Sequence, residues 1–143
     1  MGQTEVYGAL AGRILLALIF VMSGINKIST PEATQQYMAS HGMTMATGLL
    51  YVGAIAVEVG AGLALLIGYQ TRLASLLLAI FLIPTTLIFH TQFGDQNQLI
   101  HFLKNLAIMG GLLYVSVYGA GPMSVDARER SREHAEALGA RRG

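Results

Sequence analysis

Four long apolar stretches follow one another along the chain, and short polar segments separate them. A helix needs about 20 mostly apolar residues to cross the ~30 Å hydrocarbon layer of a bilayer. The stretches do not alternate apolar and polar residues, as the strands of a membrane barrel do. The pattern therefore predicts an all-α protein, an integral membrane four-helix bundle within residues 1–126, followed by a charged tail at 127–143. The four predicted spans lie at about residues 7–27, 44–68, 73–90 and 101–118.

The fourth stretch is less apolar than the other three. Its uncharged part, residues 106–118, is too short to cross a bilayer alone. Either the helix extends back to residue 101, which puts Lys104 and Asn105 at membrane depth, or this element does not cross the membrane. The hydropathy pattern leaves both possibilities open.

Two alternative interpretations of the apolar stretches fit less well. A secretory signal peptide begins with basic residues, whereas Glu5 precedes the first basic residue, Arg13. A soluble four-helix bundle carries polar residues along one face of each helix. The third stretch holds only three polar residues, Ser75, Thr85 and Thr86.

Composition also favours a membrane protein. Charged residues make up 12% of the chain, about half of the roughly 25% that is typical of soluble domains. Apolar residues make up 53%, which excludes a disordered chain. The absence of cysteine excludes disulfides and thiolate metal sites. A net charge of +1 gives no indication of nucleic-acid binding.

Lysine and arginine are distributed unequally between the two sides of the predicted bundle. Four spans bring both ends of the chain to one side, and that side holds seven of the nine Lys and Arg residues. Lys27 and Lys104 lie on the other side. Because cytoplasmic segments carry the excess of basic residues, we expect both termini and the charged tail in the cytoplasm. The seven are Arg13, Arg72, Arg128, Arg130, Arg132, Arg141 and Arg142.

Several polar residues fall inside or at the ends of the predicted spans, where ionisable groups are costly and mark candidate sites. Glu58 lies near the middle of the second span, and the others gather in the outer half of the bundle. His101 and Lys104 are three residues apart and share a helix face. Two histidines without a third ligand do not predict a metal site. The candidate ligand-binding residues are Lys27, Glu58, His90, His101, Lys104 and Asn105.

These polar residues also have structural interpretations. Glu58 is either a proton carrier or a partner in an ion pair with Lys27 or Lys104 that holds helices together. Arg13 is interpreted as a side chain that reaches the inner interface rather than as a site residue. The glycines of the second span are interpreted as helix-packing positions. Pro84 is expected to kink the third span and to widen the outer half of the bundle.

Several short fragments occur in a characteristic order between about residues 10 and 126. They are Gly12-Arg13, Ser23-Gly24 with Lys27, Glu58 with the glycines after it, Gly68 with Thr71-Arg72, Phe102-Leu103-Lys104-Asn105-Leu106 with Gly110-Gly111, and Gly121-Pro122-Met123-Ser124-Val125-Asp126. In this order and spacing they resemble the DoxX family of small bacterial membrane proteins. The last fragment matches the family's closing motif, Gly-Pro-Gly-x-x-Ser-x-Asp, only in part.

The resemblance implies a four-helix protein of the bacterial inner membrane. Some family members are subunits of a thiosulfate–quinone oxidoreductase, and others associate with partners that handle thiol or oxidative stress. No covalently bound cofactor is implied, and a quinone is the expected non-covalent one. Because this chain has no cysteine, a quinone or a partner would carry the electrons in any redox reaction.

Two functional hypotheses remain open, and with them the question whether the chain is an enzyme. In the first, the outer half binds a quinone or a similar amphipathic molecule. Lys104 and Asn105 hydrogen-bond its oxygen, and His90 or His101 exchanges a proton with the outer aqueous phase. In the second, the chain is a non-catalytic accessory subunit of a larger membrane complex. The expected partners are the lipid bilayer and either further copies of the chain or that complex, and no nucleic acid.

Overall fold

The structure is a computed structural model and describes residues 2–140. Within that range the chain forms six helices and no strand. The helices are α1 (Gln3–Ser29), α2 (Pro31–Ser40), α3 (Thr47–Ile67), α4 (Thr71–Phe89), α5 (Gln96–Tyr118) and α6 (Val125–Ala140). Four of them, α1, α3, α4 and α5, are long and apolar enough to cross a membrane. The predicted all-α fold of a membrane protein is confirmed.

The core of the bundle lies along the facing sides of the four long helices. Ala17, Leu65, Leu78 and Leu112, one from each of these helices, are all buried. The outward sides are apolar as well, which suits contact with lipid rather than with water. Exposed apolar side chains on these sides include Leu15, Leu49, Leu87 and Leu113.

Helices α1 and α3 approach each other closely at two glycines. A Cβ atom at Gly24 would lie 2.5 Å from Val59 Cγ2, and one at Gly62 would lie 3.0 Å from Val21 Cγ2. Only glycine leaves room for that approach. Two other glycines of α3 behave differently, because a Cβ at Gly53 or Gly60 would meet nothing within 4 Å.

Helix α3 is α-helical at both ends and π-helical in the middle, over Ala56–Ala61. A π-helical turn inserts an extra residue and rotates the side chains that follow it relative to a continuous α-helix. Glu58 lies in this turn and is buried against α1. The apolar pattern of the sequence does not predict this π-helical turn, which sets the direction in which Glu58 points.

Two further features differ from the sequence-based expectations. The segment between the first two spans folds as α2, which begins with Pro31 in the first turn, a position where the missing N–H costs nothing. Helix α5 begins at Gln96, where the Asp95 side chain accepts a hydrogen bond from the Asn97 N–H at 2.8 Å. Lys104 and Asn105 therefore lie inside a single helix of 23 residues that is long enough to cross a membrane.

Arg13 closes one end of the bundle, called the Arg13 end below. Its side chain is only 3% exposed. Nη1 donates a hydrogen bond to the Ala120 carbonyl at 2.5 Å, and Nη2 donates one to the Met123 carbonyl at 2.9 Å. The interpretation of Arg13 as an interfacial side chain is therefore wrong, because its guanidinium joins α1 to the segment that follows α5.

The same end is held by Asp126, at the start of α6. Its carboxylate accepts hydrogen bonds from the backbone N–H groups of Gln70 at 2.7 Å and Thr71 at 3.0 Å. Burial by itself would raise the pKa of Asp126, but the hydrogen bonds from Thr71 and Gln70 and the charge of Arg130 hold it below its ordinary value of 3.8. The residue directly before the predicted charged tail is thus docked on the α3–α4 turn, while Arg141 and Arg142 of the tail lie outside the described residues.

Candidate binding pocket at the Lys27 end

A cavity of about 760 Å³ opens at the other end of the bundle, called the Lys27 end below. Residues of all five helices from α1 to α5 line it. Its volume falls within the range of about 300–1,000 Å³ that is usual for pockets holding small organic ligands. Most of the lining is apolar, with aromatic rings contributed by Phe20, Tyr37, Phe81 and Phe89.

Lys27 and Glu58 form an ion pair in the wall of this pocket. Lys27 Nζ lies 2.9 Å from Glu58 Oε1 and 2.8 Å from Oε2, although only Oε1 accepts a well-aligned hydrogen bond. Nζ also donates a hydrogen bond to Ser23 Oγ at 2.8 Å, and Ser23 Oγ donates one to Glu58 Oε1 at 3.2 Å. Of the two lysines considered as partners of Glu58, the structure selects Lys27.

The local helix geometry explains how these three residues meet. Ser23 and Lys27 are four residues apart on α1 and share one face. Gly24, between them, lets α3 come close, and the π-helical turn directs Glu58 toward that face. The Tyr51 hydroxyl fixes the end of α1 by donating a hydrogen bond to the Lys27 carbonyl at 2.9 Å.

Within the pair, the ammonium is the accessible group. The Lys27 side chain is 23% exposed, whereas the Glu58 side chain is 6% exposed. An ammonium carries three N–H donors, and two directions are occupied by Ser23 and Glu58. One donor of Lys27 is therefore left for an acceptor atom of a ligand in the pocket.

Asn105 lines the pocket from α5 and is bound to α4. Its Nδ2 donates a hydrogen bond to Thr86 Oγ1 at 3.0 Å, and that hydroxyl donates one to the Leu82 carbonyl at 2.6 Å. Both polar side chains are buried. Thr86 does not line the cavity but positions Asn105, and its spacing of four residues from His90 puts both on one face of α4.

His90, His101 and Lys104 form a cluster at the mouth of the pocket. The His90 and His101 rings stack with centroids 5.2 Å apart. His90 Nδ1 lies 2.8 Å from Gln98 Oε1, and because an amide oxygen only accepts, the His90 N–H donates. Lys104 Nζ donates to His101 Nδ1 at 3.0 Å, which leaves the His101 proton on Nε2.

The structure thus brings five of the six candidate residues to one pocket, and His101 lies beside it. His101 is exposed and does not line the cavity. Lys104 does line the cavity, but it is exposed and bonded to His101 rather than to Glu58. Between residues 2 and 140, no three His, Asp or Glu side chains come together in a way that would hold a metal ion. Pro84 also lines the pocket, and the predicted kink stays a prediction.

One whole side of the pocket was missed from the sequence. Four residues of α2, Ala33, Thr34, Tyr37 and Met38, line the cavity, and Met38 is buried. The signal that would have found this helix is Thr30-Pro31-Glu32, because proline and an acidic residue are favoured in the first turn of a helix.

Comparison with known proteins gives a consistent set of relatives. The DoxX family model matches residues 8–91, which run from α1 to the end of α4. Inner membrane protein YqjF of Escherichia coli is 37% identical over 126 residues, covering 88% of this chain and 95% of that protein. Inner membrane protein YphA of the same organism is 34% identical over 124 residues, covering 83% and 88%.

A more distant relative is found in yeast. The ER-derived vesicles protein ERV29 of Saccharomyces cerevisiae is 30% identical over 133 residues, which cover 90% of this chain but 36% of that protein. No solved structure matches the chain. The family model, the two bacterial relatives and the four long apolar helices agree with one another. The chain therefore belongs to the DoxX family of integral membrane proteins.

Proposed function

We propose that this protein binds a quinone, or a small amphipathic molecule of similar shape, in the pocket at the Lys27 end, as the quinone-binding component of a membrane oxidoreductase. The observation that carries the proposal is the Lys27 ammonium, held by Ser23 and Glu58 in the wall of an otherwise apolar cavity of about 760 Å³. A quinone head has carbonyl acceptors and an apolar body, and such a ligand complements one free donor in apolar surroundings.

In this proposal Lys27, rather than Lys104 as predicted from the sequence, hydrogen-bonds the oxygen of the ligand. Its free N–H donates to a carbonyl oxygen of the ligand, while Glu58 neutralises the ammonium from behind. Because Glu58 stays buried and paired, the site is electrically neutral and accepts a neutral ligand without an uncompensated charge. Asn105 supplies a second polar group, a side-chain amide, on the α5 side of the cavity.

The stacked histidines supply the proton chemistry in this proposal. A quinone takes up two electrons and two protons on reduction, and a pathway to water must exist for the protons. His90 lines the pocket and stacks on His101, which is exposed. A neutral imidazole has one nitrogen that donates a hydrogen bond and one that accepts, so it can pass a proton on. The chain has no cysteine, so a partner subunit with its own redox group delivers the electrons.

The orientation in the membrane belongs to the same proposal. The bacterial relatives are inner membrane proteins, and we infer the same membrane for this chain. Arg13, Arg72 and the basic residues of α6 lie toward the cytoplasm, as the excess of basic residues on that side predicts. Both termini are then cytoplasmic, and the pocket opens toward the outer aqueous phase.

The test is the quinone content of the purified protein. The full chain is purified from native membranes in mild detergent, and bound quinone is extracted and measured per chain. The decisive variant is the double substitution Lys27→Met with Glu58→Gln, which removes both charges together and so leaves no unpaired buried charge. We expect it to fold and to lose quinone, whereas Arg128→Gln on the exposed helix α6 retains it. A folded double variant with unchanged quinone content would refute the proposal.

A second candidate function, the non-catalytic accessory subunit, is favoured by the open space around one glycine of α3 that does not line the pocket. Because a Cβ at Gly60 would meet no atom within 4 Å, a neighbouring subunit has room to approach α3 closely. Native mass spectrometry of the purified material separates the two functions. A stoichiometric partner that Gly60→Leu releases, without quinone on the chain, would favour the accessory function.

A further inference from the structure

Helix α2 differs from the other walls of the pocket in how little holds it. It is 10 residues long, and Met38 is its only buried residue. An isolated helix of that length is marginal in water. Four of its residues nevertheless face the cavity: Ala33, Thr34, Tyr37 and Met38. A short helix with few buried contacts lies at the low end of local stability.

The attachment of α2 to α4 is a cluster of aromatic rings. The Tyr37 ring stacks on Phe89 with centroids 5.2 Å apart and an interplanar angle of 14°. The His41 ring lies 5.1 Å from Phe89 and 4.5 Å from Tyr37. In the described part of the chain, no hydrogen bond joins a side chain of α2 to another helix. The stack of Tyr37 on Phe89 therefore joins α2 to α4 by ring contact alone.

Short links join α2 to the helices on either side. At its start, Thr30 separates α1 from α2 and precedes Pro31, which cannot continue the hydrogen bonding of α1. At its end, Gly42 has a φ of +87° and belongs to a hydrogen-bonded helix cap, and Ala46 has a φ of +57° at the start of α3. The regular helical hydrogen bonding therefore ends at both links of α2.

We infer that α2 is a hinged cover over the pocket, and that the Tyr37–Phe89 stack holds it closed. Ligand exchange then requires that stack to break. The inference rests on the proposed function in one respect only, namely that the pocket holds an amphipathic ligand. Closure of α2 over the pocket is a property of the empty protein and can be measured without any ligand.

The natural absence of cysteine makes a direct test possible. Met38→Cys introduces the only thiol in the chain, at a position that is 6% exposed beneath the cover. The rate at which a water-soluble maleimide labels it, in the purified full chain, reports the fraction of time for which α2 is open, when closing is faster than labelling. Thr34→Cys, also on the pocket side of α2, is the second reporter if the first substitution prevents folding.

The stack is then removed by Phe89→Leu in the reporter background. An aromatic pair contributes about 0.5–1.5 kcal/mol, so we expect labelling to become roughly 2- to 12-fold faster. The matched control is Phe93→Leu, since Phe93 forms an edge-to-face pair with Phe102 at 5.1 Å and does not line the pocket. It should leave the rate unchanged. Equal labelling rates with and without Phe89→Leu, or the same acceleration in both variants, would overturn the inference.

A second measurement distinguishes a failure of the hinged cover from a failure of the proposed quinone binding. Release of a short-chain quinone is followed in the wild-type chain and in Phe89→Leu, and we expect faster release from the variant. If the thiol responds to Phe89→Leu but no quinone binds to either protein, the cover stands and the proposed function fails. If quinone binds but neither labelling nor release responds, the proposed function stands and the cover fails.

Discussion

Arg13 and Lys27 lie toward opposite ends of the same helix, α1, and each inserts a positive charge into the bundle. The Arg13 side chain is 3% exposed and bonds to two backbone carbonyls. The Lys27 side chain is 23% exposed, bonds to two side chains, and lines a cavity. Arg13 thus closes one end of the bundle by bonding to the backbone, whereas Lys27 lines the pocket at the other end.

The chemistry of the two side chains accounts for the difference. A guanidinium is a planar fork with several donors, so one Arg13 serves carbonyls of both Ala120 and Met123. An ammonium is a compact charge with three donors. At Lys27, Ser23 and Glu58 take two of them. A buried charged side chain indicates a binding site only where one of its hydrogen-bond donors is left over and the side chain lines a cavity.

At the Arg13 end, we expect the largest loss of stability from Arg13→Met. This substitution leaves the buried Ala120 carbonyl and the Met123 carbonyl without their donors, and each lost partner costs about 1–3 kcal/mol. We expect a loss of about 3 kcal/mol in the free energy of unfolding, measured by denaturant titration in mild detergent. Arg72→Met, an exposed arginine at the same end, is the control and should change stability by less than about 0.5 kcal/mol. Similar losses in both variants would mean that Arg13 does not close this end.

A somewhat smaller loss of stability is expected when the contact between α1 and α3 at the Lys27 end is widened. The Cβ introduced by Gly24→Ala would lie 2.5 Å from Val59 Cγ2, so the Val59 side chain or α3 itself must shift. Forced overpacking of this kind costs about 1–3 kcal/mol, and it moves Lys27 away from Glu58. Thermal unfolding and quinone content should therefore both fall.

Gly60→Ala is the matched control, because it adds the same methyl group to α3 where no atom lies within 4 Å. Its stability and its quinone content should stay at the wild-type level. Equal behaviour of the two alanine variants would contradict the close approach of α1 and α3 at Gly24.

The pH dependence of the melting temperature tests the role of Asp126 at the Arg13 end. The folded-state pKa of Asp126 is lowered, so its carboxylate stabilises the fold fully above its unfolded pKa, near 3.8, and progressively less as the pH falls through the folded value. We expect the melting temperature of the wild-type chain to exceed that of Asp126→Asn by a constant margin from pH 7 to about pH 4.5. Below about pH 3.8 that margin should shrink. A margin that grows on acidification would contradict the hydrogen bonds to Gln70 and Thr71.

The smallest expected change tests the two lysines of the pocket against each other. Lys104 is exposed, and its hydrogen bond to His101 lies at the surface. Lys104→Met should change the free energy of unfolding by no more than about 0.5 kcal/mol. Lys27→Met alone leaves Glu58 as an unpaired buried charge and should cost about 3 kcal/mol or more. Equal costs in thermal unfolding would place both lysines in one network with Glu58.

The position of a residue along the axis of the bundle could be predicted from the sequence. Apolar stretches of the right length predict helices that cross a bilayer. Counting spans then brings Lys27, Glu58, His90, Lys104 and Asn105 to one half of the bundle, where the structure finds them around one cavity. Depth follows from position in the chain, since each helical residue advances about 1.5 Å.

The direction in which each side chain points around its helix axis could not be predicted from the sequence. Hydropathy does not say whether Arg13 points toward lipid headgroups or toward the Ala120 carbonyl. It did not choose between Lys27 and Lys104 as the partner of Glu58 either, because that choice depends on the π-helical turn in α3. Helix α2 was missed for a related reason, since it is short and has little apolar character of its own.

The sequence by itself thus determined the all-α membrane fold, the family resemblance and the end of the bundle at which the polar residues gather. Those properties follow from the high cost of exposing backbone and charge to lipid, a cost that every arrangement of the helices must meet. Only the tertiary structure decided which polar groups bond to each other and which enclose a cavity. Bonds of that kind depend on close approach at Gly24 and Gly62 and on helix rotation, and these arise from the packing of the four helices together.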